Sequence, residues 1–238
     1  MKLLDISLIE ERLLKNNFLN LNEFQRKNLS MAIKAANLCN LNEKKIFNSI
    51  NKIKDVNGRL ELTRIFPNNV KVYVDFAHTP DALQKSLNSL KNLYGKNISI
   101  VFGCGGDRDF KKRPIMAKLA NNNCKKVYIT DDNPRSESPK KIRADIIKNL
   151  KDCEHFNIGN RSKAIERAIK NAEPNEVILV AGKGHEDQQV YKNRIIKISD
   201  KKIIKGIQNK LKKISPKDQN YGQNKKIIKE LNKKINIK

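Results

Sequence analysis

Apolar positions along the chain change their rhythm near Gly95. Before it, NEFQRKNLSMAIKAANLC (22–39) sets Phe24, Leu29, Ala32, Ile33 and Ala36 at helical spacing, and a second helical pattern runs from about Asn42 to Ile53. A glycine turn at 57–59 then leads into LELTRIF, and PNN separates LELTRIF from VKVYVDF, which predicts a β-hairpin. Thr79 as N-cap and Pro80 in the first turn predict a helix reaching about Leu93. Residues 1–20 mix polar and apolar positions and predict no element.

Beyond Gly95, short apolar strands alternate with amphipathic helices. NISIVFG, KKVYIT, HFNIG, NEVILVAG and RIIKIS read as strands, with KRPIMAKLANN, PKKIRADIIKNL and SKAIERAIKNA as helices between them and DKKIIKGIQNKL as the closing helix. Strict alternation of this kind implies an α/β fold with an open, mainly parallel sheet flanked by helices.

Composition adds limits. With 238 residues and 38% hydrophobic content the chain can build one large or two small cores. It has no run of about eighteen apolar residues and no charged-then-apolar leader, so neither a membrane span nor a secretory signal is expected, and a cytoplasmic location is. Cys39, Cys104, Cys124 and Cys153 are too scattered for a disulfide framework or a cysteine zinc site; they are expected to be reduced and mostly buried, Cys104 being the exception. The formal charge of +25 is the usual footprint of a nucleic-acid binder, but the lysines are spread over the whole chain and aromatic residues make up only 5%. Nucleic acid is therefore not the favoured partner, whereas an acidic ligand gains from the positive field. Residues 201–238 hold 13 lysines and read as a solvated tail in which Ile227, Ile228, Leu231 and Ile235 can share a helical face.

The candidate chemistry follows from where the loops fall. Ligands of open α/β sheets bind outside the carboxyl ends of the strands. Here those ends carry GCGGDRD (103–109), DDNPR (131–135), GNR (159–161) and AGKGHED (181–187). Each loop alone has an ordinary structural explanation, but together they can line one crevice. A free amino acid offers an ammonium and a carboxylate, so its pocket needs acceptors and guanidinium groups. Asp132 and Glu186 can accept from ammonium groups, Arg108 and Arg135 can clamp carboxylates, and Pro134 stiffens the turn between them. Upstream, DFAHTPD places Asp75 at a strand end and His78 beside a helix N-terminus. Asp75 suits ribose hydroxyls, Arg59 a phosphate and Asn28 an adenine edge, the alternative for Asp75 being a helix cap.

FQRKNLSMAI, NGRLEL, VDFAHTPDAL, VFGCGGDRDFKKRPIM, TDDNPRSE and LVAGKGHEDQ, in this order and at these separations, resemble the Mur ligase family over roughly residues 22–205. The resemblance is to its members that add the third residue of the peptidoglycan stem peptide. It implies a Rossmann-like amino-acid-binding domain at 95–212, preceded at 1–94 by the last part of a central ATPase domain (helices plus the hairpin) and followed by a lysine-rich tail at 213–238. It also implies ATP and Mg²⁺ as cofactors and an acyl phosphate on UDP-N-acetylmuramoyl-L-alanyl-D-glutamate, attacked by the amine of meso-diaminopimelate. By the same resemblance Arg108, Asp132, Asn133, Pro134, Arg135, Gly182 and Glu186 bind meso-diaminopimelate. Asn28, Arg59 and Asp75 bind ATP, and His78 is catalytic. Arg135 carries the choice of amino acid, since lysine lacks the distal carboxylate, and discrimination through a buried polar partner reaches the order of 10⁴.

The chain departs from the family in having no G-x-x-x-x-G-K-[ST] phosphate loop. The UDP-binding domain, the metal ligands and a modified lysine are expected upstream of Met1. The chain alone is therefore expected not to ligate, a separate N-terminal fragment becomes a candidate partner, and the strands of the 1–94 segment are expected to have exposed edges. A basic binding module without catalysis, and a sister ligase adding a different amino acid, are the competing readings.

Overall fold

ISIVF and VILVA are buried at every position, and strands of that kind need cover on both faces. In the computed structural model, which describes residues 5–15, 23–53 and 56–208, they lie side by side near the middle of a six-stranded sheet. The strand order is β1 (Glu61–Ile65), β2 (Lys71–Asp75), β6 (Val177–Ala181), β3 (Ile98–Phe102), β4 (Lys126–Ile129) and β5 (Glu154–Asn157). β1 is antiparallel to β2, and every other neighbouring pair is parallel.

Alternation along the strands divides the apolar residues between two faces. Tyr73, Ile98, Ile100, Phe102, Val127, Ile129 and Leu179 share a core with helices α4 (Pro80–Tyr94), α5 (Lys112–Asn123) and α6 (Pro139–Ile147). On the opposite side α7 (Arg161–Lys170) packs on β3, β4 and β6, and α8 (Asp200–Gly206) packs on β1 and β2. Helix α4 shows how the sequence encodes this: Thr79 accepts from the Ala82 amide, Pro80 occupies the first turn, and Leu83, Leu87 and Leu90 form one buried stripe. Helices α1 (Ser7–Lys15), α2 (Glu23–Leu38) and α3 (Glu43–Ile50) form a separate small core of Leu13, Ile33, Phe47 and Ile50.

The structure corrects four expectations. Of the hairpin strands, β2 does not have the exposed edge expected of it, because it pairs with β6 along Lys71–Asp75 and extends the same sheet, whereas β1 is an edge strand of that sheet. Val72, Tyr73 and Val74 are all buried, so this strand needs cover on both faces. RIIKIS does not continue the parallel series. It forms β8 (Arg194–Lys197), antiparallel to β7 (Gln188–Tyr191) in a separate two-stranded sheet, since only a short turn joins the two and a parallel pair requires a long crossover. Residues 1–20, read as featureless, contain α1; Ile9 and Leu13 share its packed face, whereas Leu8 and Leu14 are exposed and blur the pattern. The exception among the cysteines is not Cys104, which is buried with its thiol pushed up to about 12 by burial, but the exposed Cys39. The compact unit ends at Ile207, and the tail expected at 213–238 lies outside the described residues.

Candidate functional site

Parallel register brings the strand ends level. Asp75 stands opposite Ala181, and Ile129 stands opposite both Phe102 and Asn157, so the loops that follow β2, β3, β4, β5 and β6 leave the sheet along one edge. The loops after β3 and β4 interlock there. The Gly106 amide donates to the Asn133 carbonyl at 2.9 Å, and Arg135 Nη1 donates back to the Gly106 carbonyl at 2.8 Å. Asp107 accepts from the Ser136 amide at 3.1 Å and hydroxyl at 2.6 Å, and these bonds hold its carboxyl below the usual carboxylate range. A β-carbon on Gly103 would lie 2.2 Å from the Thr130 carbonyl oxygen, and one on Gly106 would lie 2.0 Å from that of Pro134. The glycine cluster of GCGGDRD therefore exists to let two backbones touch.

The loop after β6 joins the same assembly through a buried lysine. Lys183, fully buried, donates from Nζ to Asn133 Oδ1 at 2.9 Å, Glu186 Oε2 at 3.1 Å and the Gln188 carbonyl at 2.5 Å. Asn133 Oδ1 also accepts from the Val190 amide at 3.0 Å, and its Nδ2 lies 3.3 Å from Glu186 Oε2. Arg135 sits at φ +52°, and its amide donates to the Val190 carbonyl, which ties the loop to β7.

Beneath these residues lies an ionic network. Arg161, fully buried, donates to Asp200 through Nε at 2.8 Å and Nη2 at 2.7 Å, and Nη2 also reaches the Ala181 carbonyl at 2.9 Å. Its Nη1 is 4.0 Å from Asp132 Oδ2. Gly182, at φ +112°, leaves room for that carboxylate, since a β-carbon there would stand 2.8 Å from Oδ2. Arg108 is exposed, with its Cγ 4.0 Å from the place of a Gly105 β-carbon and Arg135 Nη1 2.9 Å from the same point. Asn133, Pro134, Arg135 and Glu186 are thus linked by contacts across three loops, Asp132 lies against Gly182 and Arg161, and Arg108 stands exposed on the loop after β3 without a hydrogen bond or ion pair to the other expected residues among the described residues.

Of the residues expected to hold nucleotide, Asp75 and Arg59 share a second site, and Asn28 is not part of it. Asp75 accepts at Oδ2 from the Leu60 amide at 2.5 Å, and at Oδ1 from the Ala77 amide at 2.8 Å and Ser86 Oγ at 3.0 Å, so most of its lone pairs serve the fold. It lines a cavity of about 150 Å³ with Phe24, Gln25, Arg59, Ala82 and Ser86, a space that holds a small ring and not a whole nucleotide. The Arg59 guanidinium lies 4.5 Å over the Phe76 ring. His78 Nδ1 is 2.8 Å from the Phe76 carbonyl, which can only accept, so in the neutral ring the proton sits on Nδ1 and Nε2 keeps its lone pair. Asn28 is exposed on α2 and does not line this cavity. Gly58 and Gly184, both at positive φ, pack backbone to backbone, with a Gly58 β-carbon falling 2.3 Å from the His185 amide nitrogen. That contact joins the Arg59 turn to the GKGHED loop.

A larger crevice of about 620 Å³ lies beside the DDNPR loop, lined by Asp131, Lys140, Arg143, Arg161, Tyr191 and Arg194 among others. It contains none of the residues expected to bind substrate. Arg143 and Asp131 form an ion pair there, and Tyr191 donates to Asp131 at 2.9 Å, its hydroxyl pushed up to about 12 by burial and then by that carboxylate. Sequence reasoning missed Lys183, Arg161 and Asp200. A lysine within GKGHED and an arginine within GNR were both visible, but nothing in a chain with 50 basic residues marks which are buried.

The family model described as "Mur ligase, glutamate ligase domain" matches residues 58–184. The chain is 40% identical over 184 residues to the UDP-N-acetylmuramoyl-L-alanyl-D-glutamate–2,6-diaminopimelate ligase of Rickettsia montanensis, covering 76% of this chain and 38% of that protein. The ligase of the same name from Buchnera aphidicola subsp. Acyrthosiphon pisum is 48% identical over 154 residues, 64% of this chain and 31% of the relative. A solved structure of a UDP-N-acetylmuramoyl-L-alanyl-D-glutamate–2,6-diaminopimelate ligase superimposes with a TM-score of 0.60 at 33% identity, covering 78% of this chain and 38% of the other. The chain thus spans under two fifths of the length of these relatives. With a family model covering more than half of its residues, and with the loops of that family held together at one sheet edge, this chain belongs to the Mur ligases.

Proposed function

We propose that this chain forms the amino-acid-binding part of an ATP-dependent ligase that adds meso-diaminopimelate to UDP-N-acetylmuramoyl-L-alanyl-D-glutamate in peptidoglycan synthesis. The observation that carries the reading is the Arg135–Asn133–Glu186 chain of contacts, in which Asn133 touches a guanidinium through its backbone carbonyl and a carboxylate through its side-chain amide, on interlocked loops. Glu186 and Asp132 take the ammonium end of the amino acid, Arg135 and Arg108 the distal carboxylate. Two relatives carrying diaminopimelate ligase names support that choice over lysine.

ATP is the energy source in this reading. Asp75 has one lone-pair direction left for a ribose hydroxyl, and Arg59, stacked on Phe76, presents its edge to a phosphate. His78, next in the chain to Ala77 of the cavity lining, is the catalytic residue of this reading, with Nε2 as the proton acceptor. ATP and Mg²⁺ supply activation of the D-glutamate carboxylate; these residues orient the nucleotide's sugar and the loops around it. No phosphate loop occurs among the 238 residues, so this reading requires one supplied from outside them, with a separate N-terminal fragment as one candidate source. The reading also places the protein in the cytoplasm, and among the described residues no helix is long and apolar enough to cross a membrane. In this reading the amino-acid-binding domain is taken to begin before β1 and not at residue 95, since β1 and β2 share the six-stranded sheet.

Isothermal titration of the full chain with meso-diaminopimelate and with L-lysine tests the proposal. Binding of meso-diaminopimelate at least about tenfold tighter than lysine is expected, since the lost distal carboxylate leaves a guanidinium without its partner. Equal affinity for the two, or absence of binding by a folded chain, contradicts it.

A further inference from the structure

We propose that Lys183 is a positioning residue that sets Glu186 and Asn133 for the ammonium end of the substrate; this rests on the amino-acid-binding role proposed above. Lys183 is fully buried, and an uncompensated ammonium is too costly to bury. Its three N–H bonds meet three acceptors: Asn133 Oδ1, Glu186 Oε2 and the Gln188 carbonyl. The count of donors and acceptors closes with nothing left over, which describes a fixed ammonium and not a proton-transfer group.

The consequences spread to both neighbours. Asn133 Oδ1 receives two donors, Lys183 Nζ and the Val190 amide, which fixes the amide orientation, because the flipped form would set NH₂ against both. Its Nδ2 then faces Glu186 Oε2 at 3.3 Å. Glu186 Oε2 is thereby occupied by Lys183 and Asn133, whereas Oε1 takes no hydrogen bond from the described residues, and the side chain is 37% exposed. One carboxylate oxygen is anchored and the other is presented. Asn133, expected from sequence to touch the amino acid, spends its carbonyl and one N–H on this anchoring and acts chiefly through Glu186. Lys183 thus converts a mobile surface glutamate into a directed acceptor, which lowers the ordering cost of binding.

A double-mutant cycle with meso-diaminopimelate as probe, measured by calorimetry on the full chain, separates positioning from general stabilisation. Lys183→Met is expected to weaken binding about tenfold or more, and the same change in a Glu186→Gln background to cost less than about twofold, because coupled groups are not additive. Additive losses overturn the proposal. Two ligand-free measurements judge the positioning of Glu186 and Asn133 by Lys183 even if the wild-type chain binds no meso-diaminopimelate, an outcome that removes the amino-acid reading and the ammonium partner with it. In ¹⁵N spectra of the wild type at neutral pH, the Lys183 Nζ hydrogens are expected to exchange slowly enough to be seen, and a fast-exchanging Nζ contradicts the three-acceptor cage. In Lys183→Met the Val190 amide is expected to exchange about tenfold faster while the Leu179 amide of β6 keeps its protection. Unchanged exchange at Val190 overturns the proposal, and if Leu179 protection also collapses, the wild-type Nζ signal decides.

Discussion

At Gly106 the nearest obstacle to a side chain is not another side chain but the Pro134 carbonyl, 2.0 Å from where a β-carbon would stand. Backbone cannot step aside as a rotamer can, so Gly106→Ala is expected to part the loops after β3 and β4 and to lower stability by about 2 kcal/mol, read as a shift in denaturant midpoint. Arg161→Ala strands Asp200, buried beside it, and is expected to cost about 3–5 kcal/mol in the same measurement. The Asp107 carboxyl responds to acid. Its folded value lies below the usual aspartate 3.8 because Ser136 donates to the ionised form, so its contribution is full above 3.8 and disappears as pH falls through the lower, folded value. An acid titration followed at the Ser136 amide is expected to show that bond persisting below pH 3.8. Among single residues, the loop acids, arginines and glycines were legible in the sequence because strand ends in α/β sheets announce ligand loops. Lys183 and Arg161 were not, since burial of a cation depends on acceptors brought from elements 39 and 50 positions away.

At the scale of elements, the alternation after Gly95 predicted β3 to β6 and the helices between them, and before Gly95 the Thr79 cap and the stripe of Leu83, Leu87 and Leu90 predicted α4, because caps and stripes are local signals. What local signals did not disclose is partnership. KVYVD reads the same whether its neighbour is β1 alone or β1 and β6 together, and only the long-range pairing shows that the hairpin completes the sheet. Helix α8 presents the same lesson, as seven residues are too few to hold a helix without tertiary help. Arg64 of β1 supplies it, with Nη1 donating to the carbonyls of Ile204, Lys205 and Ile207 at 3.1, 2.9 and 2.7 Å. Arg64→Ala is expected to raise amide exchange across α8 about tenfold and to leave α7 unchanged, since loss of charged donors costs on the order of 1.5–3 kcal/mol.

Across the whole molecule, +25 formal charge suits an acidic ligand but does not define a site, because lysines lie throughout the chain. Site definition comes instead from topology: four parallel pairings level the strand ends, glycine contacts weld the loops, and two buried cations fix the acids among them. If the field alone governed binding, affinity would fall steeply with salt and would not distinguish meso-diaminopimelate from other dianions. The most direct test of the account is an amide-shift titration of the full chain with meso-diaminopimelate. The account predicts concerted shifts in residues 105–108, 132–136 and 182–186 with one shared dissociation constant. Shifts confined to the crevice around Lys140, Arg143 and Arg194, or scattered over lysines without a common midpoint, would contradict it.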